Sequence, residues 1–387
     1  MKRNLFKQAA IIEPKEYVLA DDLRDIIHKY KPNYLILDSG RDDGKSYAAK
    51  KFLVEEFWNN GITFTYLRRT EVDLKRESPV LYWDDFGPEI QSITGGEWTT
   101  VTADSKFFYL ARPSEEDPEK LEKGPAIANI HALSIARSYK SMQYPTAGYV
   151  LFEEYCTDSG YLYNETNRLM NYVSTIFRDR QGVVIMLGNK VSKINPYFRD
   201  WQLINAGKMQ PGQVDVYRHH TTLDGSELVT NVVMYSPTTT RKTGKKKRKS
   251  MFFGTAAGMI EGQEYDSMDQ PKLADDVKRY RALYTVVFAP DPNACFLMTL
   301  LEHYEHPDRV LWYVEPKTSP IKPNTRVVGG PMIEGDYWTR DFTGLTPIEK
   351  EAFRLLQLGR VAFSDNLTGT EFYRALAGIS ARTRGTE

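Results

Sequence analysis

The period of the apolar positions changes repeatedly along this chain, and each change marks an element. Between residues 21 and 30 the apolar side chains fall at Leu23, Ile26, Ile27 and Tyr30, one face of an amphipathic helix. The run Tyr34-Leu35-Ile36-Leu37 predicts a buried strand, Ser46 to Phe57 a second helix, and Ile62 to Leu67 a second strand that ends on Arg68-Arg69. Residues 98–111 and 126–135 alternate as a β-excursion split by the charged loop 114–120. The run Tyr149-Val150-Leu151-Phe152 predicts a strand that ends on Glu153-Glu154. A helix over 162–177 follows, with Leu169, Val173 and Ile176 on one stripe, then a buried strand over Val183–Leu187. Strands alternating with helices predict a mostly parallel, three-layer α/β sheet, and ligands of such sheets sit at the carboxyl ends of the strands.

The pattern changes near residue 200. Segments 212–219 and 227–235 read as short strands, and 237–250 as an exposed connector. Beyond it, Leu283–Phe288, Cys295–Leu300 and Val310–Val314 read as strands, with helices at 347–357 and 369–378. The expected organisation is an α/β domain over 1–200, a linker module with a basic connector over 201–250, and a small α+β domain over 251–387.

Composition narrows the class. The chain has 387 residues, 41% hydrophobic and 26% charged, which is globular. Its formal net charge is zero, so no global basic field points to nucleic acid, although a ring can concentrate charge on one face. Two cysteines, Cys156 and Cys295, argue against a disulfide framework and for a reducing cytosol. No signal-peptide core and no apolar run near ~20 residues is present, so no membrane partner is expected.

The chemistry concentrates at residues 39–46, Ser39-Gly40-Arg41-Asp42-Asp43-Gly44-Lys45-Ser46, between a strand and a helix. This is the layout of a phosphate-cradling loop: backbone N–H groups face phosphate oxygens, Lys45 reaches the β/γ-phosphates, and the Ser46 hydroxyl ligates Mg²⁺. Ser39 stands where the first glycine is usual; the plainer reading is a strand-to-helix turn. Glu153-Glu154 supply an acidic pair, the first on the Mg²⁺ side and the second orienting or deprotonating water; as a plain alternative they are solvated carboxylates. Positive charge for a transition state is offered by Arg41 inside the loop and by Arg178 and Arg180 at a helix end, where cations also simply suit the dipole. Asn189 is placed to contact phosphate or water, or to cap a turn. The run 241–249 carries seven Lys or Arg, including Lys242, Lys245, Lys246, Lys247, Arg248 and Lys249; it reads either as a solvated linker or as a phosphate-binding segment. In the last domain Asp291 lies just past the 283–288 strand and Glu315 ends a later one, with no third partner evident, and two-metal nuclease chemistry needs several convergent carboxylates.

The segments SGRDDGKSYAAK (39–50), FTYLRR (64–69), YVLFEEY (149–155), TIFRDR (175–180) and LGNKVSKINPYF (187–198) together resemble the DNA-packaging ATPases of small, protein-primed, short-tailed bacteriophages whose motor includes a packaging RNA. More distantly the chain resembles large terminases. The resemblance covers residues 33–200 and is weaker through FGTAAGMIEGQEYDSMDQ (253–270). It implies a P-loop ATPase domain of the additional-strand, RecA/terminase-like kind, followed by a ribonuclease H-like domain, a degenerate nuclease kept for binding nucleic acid. It also implies ATP and Mg²⁺ as cofactors and a homo-oligomeric ring that drives double-stranded DNA into a capsid through the portal, with packaging RNA as a further partner, in the host cytoplasm at the portal vertex. By the same resemblance Glu153 is the metal-side acid and Glu154 the catalytic carboxylate. Arg178 corresponds to a trans-acting arginine finger and Lys140 to a second basic residue acting between subunits. The alternatives are a terminase with a live nuclease and a nucleotide-gated adaptor that does not hydrolyse ATP.

Overall fold

The computed structural model describes residues 5–383 except 14, 16, 41–42, 77–78, 80, 158–159, 224, 238, 240–267, 292–293, 320, 322–324, 330–337 and 340–344. Arg41, Asp42, the basic run 241–249 and most of 253–270 therefore lie outside the described residues. Two compact bodies result, one from the described parts of 1–190 and 209–239, the other from 191–208 and 268–383.

The first body is built on one sheet. Its strands are β1 (Leu5–Ile11), β2 (Tyr34–Ser39), β3 (Thr63–Arg68), β4 (Thr100–Ala103), β5 (Phe107–Pro113), β6 (Leu121–Ala132), β7 (Ala147–Glu153), β8 (Val183–Asn189), β9 (Gln213–Leu223) and β10 (Ser226–Tyr235). Among the described residues they form a 10-stranded sheet in the order β1-β9-β10-β2-β8-β7-β3-β6-β5-β4. The central block from β10 to β6 is parallel, and both wings are antiparallel. The helices are α1 (Ala20–Tyr30), α2 (Lys45–Asn60), α3 (Glu71–Arg76), α4 (Gly87–Ile93) and α5 (Glu165–Phe177).

Every residue of β2 is buried, as expected of a strand covered on both faces. Leu35, Leu37, Leu151, Ile185, Phe64 and Tyr66 pack with Leu23 and Ile26 of α1 and Ala48, Ala49, Phe52 and Leu53 of α2. Thr65 alternates to the other face, beside Tyr172 of α5. The predicted strand–helix alternation and mainly parallel core are therefore present. Two differences stand out. Segments 212–219 and 227–235, expected within a linker module, belong to the β9–β10 hairpin, and β10 pairs parallel with β2. The N-terminal residues, given no element from sequence, form β1 on the outer edge of β9. Both depend on partners some 200 residues away, which local periodicity does not report.

The second body contains α6 (Pro196–Asp200), then β11 (Tyr280–Asp291), β12 (Ala294–His303), β13 (Val310–Pro316), β14 (Val327–Val328), β15 (Trp338–Thr339), α7 (Pro347–Gln357), β16 (Val361–Phe363) and α8 (Asn366–Thr383). Its sheet order is β15-β14-β11-β12-β13-β16, with an antiparallel β11-β12-β13 meander and parallel outer pairs. Val286, Phe288, Phe296, Met298, Trp312, Phe363 and Phe372 form its core.

Candidate functional site

The carboxyl ends of β2, β8, β7 and β3 lie side by side, because these strands are parallel and consecutive in the sheet. This edge collects Ser39, Asn189, Glu153 and Arg68, residues far apart in sequence. One strand, β8, separates the loop-bearing β2 from the acid-bearing β7.

The loop after β2 is clamped on its trailing side. Val18 N–H donates to the Asp43 carbonyl at 3.0 Å, and Thr239 Oγ1 donates to Asp43 Oδ1 at 3.1 Å. Gly44 then turns with φ +81° and caps α2; a Cβ there would lie 3.3 Å from Tyr17 Cβ. That combination favours glycine on both backbone and packing grounds. Lys45 opens the helix with its ammonium folded onto the loop, donating to the Gly40 carbonyl at 2.7 Å, Ser39 Oγ at 3.0 Å and Asn189 Oδ1 at 3.2 Å. Ser39 thus contributes a hydroxyl where a glycine is usual. Asn189 is in register with Ser39, which is why the two converge on Lys45. Asp38, buried one residue earlier, is pushed up to about 6 by loss of solvent, against the pull of Lys190 and Lys45.

The acidic pair divides into two environments. Glu153 is buried; Ser46 Oγ lies 3.4 Å from its Oε2, and Tyr82 OH donates to its Oε1 at 2.5 Å. Burial raises the Glu153 carboxyl above its ordinary range, opposed by the Tyr82 and Ser46 hydrogen bonds and the Arg68 charge. Glu154 turns outward with φ +55°, its exposed carboxylate paired to Arg68 Nη2 at 2.8 Å. Arg69 holds this turn from behind: Nη1 donates to the Glu154 carbonyl at 3.0 Å, Nη2 to the Tyr155 carbonyl at 2.5 Å, and Nε pairs with buried Glu165 at 3.0 Å. The strained backbone at Glu154 is therefore over-determined by its surroundings.

A hydroxyl and one carboxylate oxygen facing each other are hard donors, suited to a small cation that keeps most of its waters and takes further ligands from phosphates. Among the described residues no cluster of three or more His, Cys, Asp or Glu forms a metal cage. Ser46 Oγ and Glu153 Oε2 are two oxygen donors of the kind Mg²⁺ takes.

The remaining basic residues are placed differently. Arg178 caps α5 with φ +51°, is exposed, and donates to the Met142 carbonyl at 3.0 Å. Arg180 instead donates to the carbonyls of Pro145, Ala147, Tyr144 and Ile176 at 2.6–3.0 Å, a structural brace. Lys140 is exposed and lines a cleft of about 230 Å³ with Arg137 and Arg168. Ser46 and Glu153 are thus brought together at the sheet edge that also carries Lys45, Glu154 turns outward to Arg68, and Lys140 and Arg178 lie on α5 and the segment packed against it. Sequence reading missed Tyr82, Asp38 and the roles of Arg68, Arg69 and Glu165. The paired arginines at the end of β3 were visible as a motif, but their acidic partners come from the turn after β7 and from α5.

The sequence profile of the family described as podovirus DNA encapsidation protein (Gp16) matches residues 26–219. The DNA packaging protein of Bacillus phage B103 is 33% identical over 174 residues, which is 43% of this chain and 46% of that protein. That of Bacillus phage phi29 is 30% identical over 176 residues, 44% of this chain and 46% of that protein. The chain thus matches just under half the length of these curated relatives. A solved chain from the bacteriophage phi29 viral genome packaging motor assembly aligns over 94% of this chain and 100% of its own length, at 19% identity and a TM-score of 0.49. With a profile match across half of the residues, and with the loop, the acidic pair and the strands that carry them inside it, the chain belongs to the podovirus DNA encapsidation protein (Gp16) family.

Proposed function

We propose that this chain is an ATP-hydrolysing subunit of a ring motor that translocates double-stranded DNA into a capsid. The observation that carries the reading is the meeting of Ser46 and Glu153, 3.4 Å apart, at the sheet edge where the Lys45 ammonium is folded onto the loop. The loop and its flanking elements act as a P-loop, and β8 between β2 and β7 is the additional strand of that ATPase class.

Loop N–H groups and the amino end of α2 bind phosphate oxygens. Lys45 exchanges its carbonyl partners for phosphate, with Ser39 and Asn189 holding its ammonium in place. Ser46 and Glu153 hold Mg²⁺, which when bound neutralises phosphate charge and supplies Lewis acidity. Glu154 orients and deprotonates the attacking water once it leaves Arg68. Arg178, exposed and lightly tied, is the group offered to a neighbouring subunit, with Lys140 from the adjoining cleft. Arg41 is a further cation of the loop. The basic run 241–249 contacts phosphates of DNA or packaging RNA, without base readout. Portal and packaging RNA dock the ring at the capsid vertex.

For the second body, the order β13-β12-β11-β14-β15 supports a ribonuclease H-like domain. Asp291 ends β11 and Glu315 lies in β13, while β14, beside β11, contributes only Val327 and Val328. Two such carboxylates among the described residues fall short of the several convergent ones a nuclease needs, so binding without cutting is the better reading.

ATP turnover with and without duplex DNA, in the parent, Glu154→Gln and Arg178→Ala, tests this. Loss in both variants, partly restored by mixing them, is the expected result. No hydrolysis by the parent even with portal present refutes the motor and leaves a nucleotide-gated adaptor.

A further inference from the structure

We propose that Tyr82 is a positioning residue for the metal-side carboxylate, its phenol pinning one oxygen of Glu153 so that the other faces the cation site together with Ser46. The proposal rests on the nucleotide reading above.

A terminal carboxylate rotates in a broad, shallow well, so a glutamate at a strand end does not by itself present a chosen oxygen. Here the two oxygens have different neighbours. Oε1 accepts the Tyr82 hydroxyl at 2.5 Å, and Oε2 lies 3.4 Å from Ser46 Oγ. Tyr82 is itself held. Its ring centroid lies 4.8 Å from Tyr66 and 5.5 Å from Trp83, and its carbonyl accepts the Lys50 ammonium at 2.7 Å. The same ammonium sits 4.7 Å from the Tyr82 ring and 5.2 Å from that of Phe86. Lys50 stands one helical turn after Ser46 on α2. One helix face therefore offers Ser46 to Glu153 and latches the segment that carries Tyr82. Ring packing alone would be served by phenylalanine; what it lacks is the hydroxyl aimed at Oε1. Outer partners of this kind set metal affinity by orienting the ligand.

The test compares the full-length parent with Tyr82→Phe, at fixed pH, by calorimetric titration with a non-hydrolysable ATP analogue, with and without Mg²⁺. Tyr82→Phe is expected to keep the Mg²⁺-free affinity and a cooperative melt, lowered by the hydrogen bond lost to the buried carboxylate, and to lose about tenfold of the gain in affinity that Mg²⁺ gives. In a Glu153→Gln background the same change is expected to have no further effect. Undiminished Mg²⁺ enhancement, equal losses with and without Mg²⁺, or an additive effect in the Glu153→Gln background would each overturn the positioning role. If Tyr82→Phe does not fold, Lys50→Met, which removes the latch, is read by the same criteria. A parent with no Mg²⁺-dependent nucleotide binding at all overturns the nucleotide reading itself, a result distinct from a parent with full enhancement that Tyr82→Phe retains.

Discussion

Replacing Asp38 with asparagine is expected to change how stability depends on pH. Asp38 ends the apolar stretch of β2 and is 3% exposed, and burial raises its carboxyl from 3.8 to about 6 even with Lys190 and Lys45 nearby. A folded value above the unfolded one means that the native state binds the proton more tightly. The stabilising contribution of that proton is complete below pH 3.8 and is lost as pH rises through about 6. Each tenfold gain in proton affinity on folding corresponds to ~1.4 kcal/mol, so ionised Asp38 costs the native state about 3 kcal/mol at pH 7.5, against about 1 kcal/mol at pH 4.5. Asparagine keeps a similar volume and an oxygen acceptor but never ionises. Urea unfolding of parent and Asp38→Asn at pH 4.5, 6 and 7.5 measures the difference directly. The variant is expected to gain about 2 kcal/mol relative to the parent between pH 4.5 and 7.5. A difference that does not change with pH, or one that moves toward the parent, refutes the reasoning.

Other perturbations separate structural from functional parts. Gly44→Ala forces a side chain to φ +81° against Tyr17, at a cost of about 1–2 kcal/mol in a thermal melt, and is expected to weaken binding of an ATP analogue by calorimetry. Glu165→Ala leaves the Arg69 guanidinium buried without its carboxylate, and denaturant unfolding is expected to show a loss of about 3–5 kcal/mol. Arg180→Ala removes a brace to four carbonyls and should cost at least about 1.5 kcal/mol. By contrast, Arg178→Ala should stay within about 0.5 kcal/mol of the parent by the same measurement while abolishing turnover.

The local signals were strong where one segment carries its own cause. Tyr34–Leu37 followed by Gly44-Lys45-Ser46 announces strand, loop and helix, because apolar runs, a glycine turn and helical periodicity are properties of neighbouring residues. The same holds for the apolar run before Glu153-Glu154, and for the three strands of the meander in the second body. Placing β8 between β2 and β7, drawing β10 alongside β2, and setting Asn189 against Lys45 required the tertiary structure. Strand pairing is decided by contacts between distant segments, and nothing in one strand's composition names its neighbour. The different fates of adjacent Glu153 and Glu154, and of Arg178 and Arg180 two residues apart, were likewise invisible in sequence. Burial, backbone turn and hydrogen-bond partners belong to the surroundings that folding assembles, and those surroundings determine which carboxylate faces Ser46, which faces Arg68, and which arginine braces four carbonyls while the other holds one.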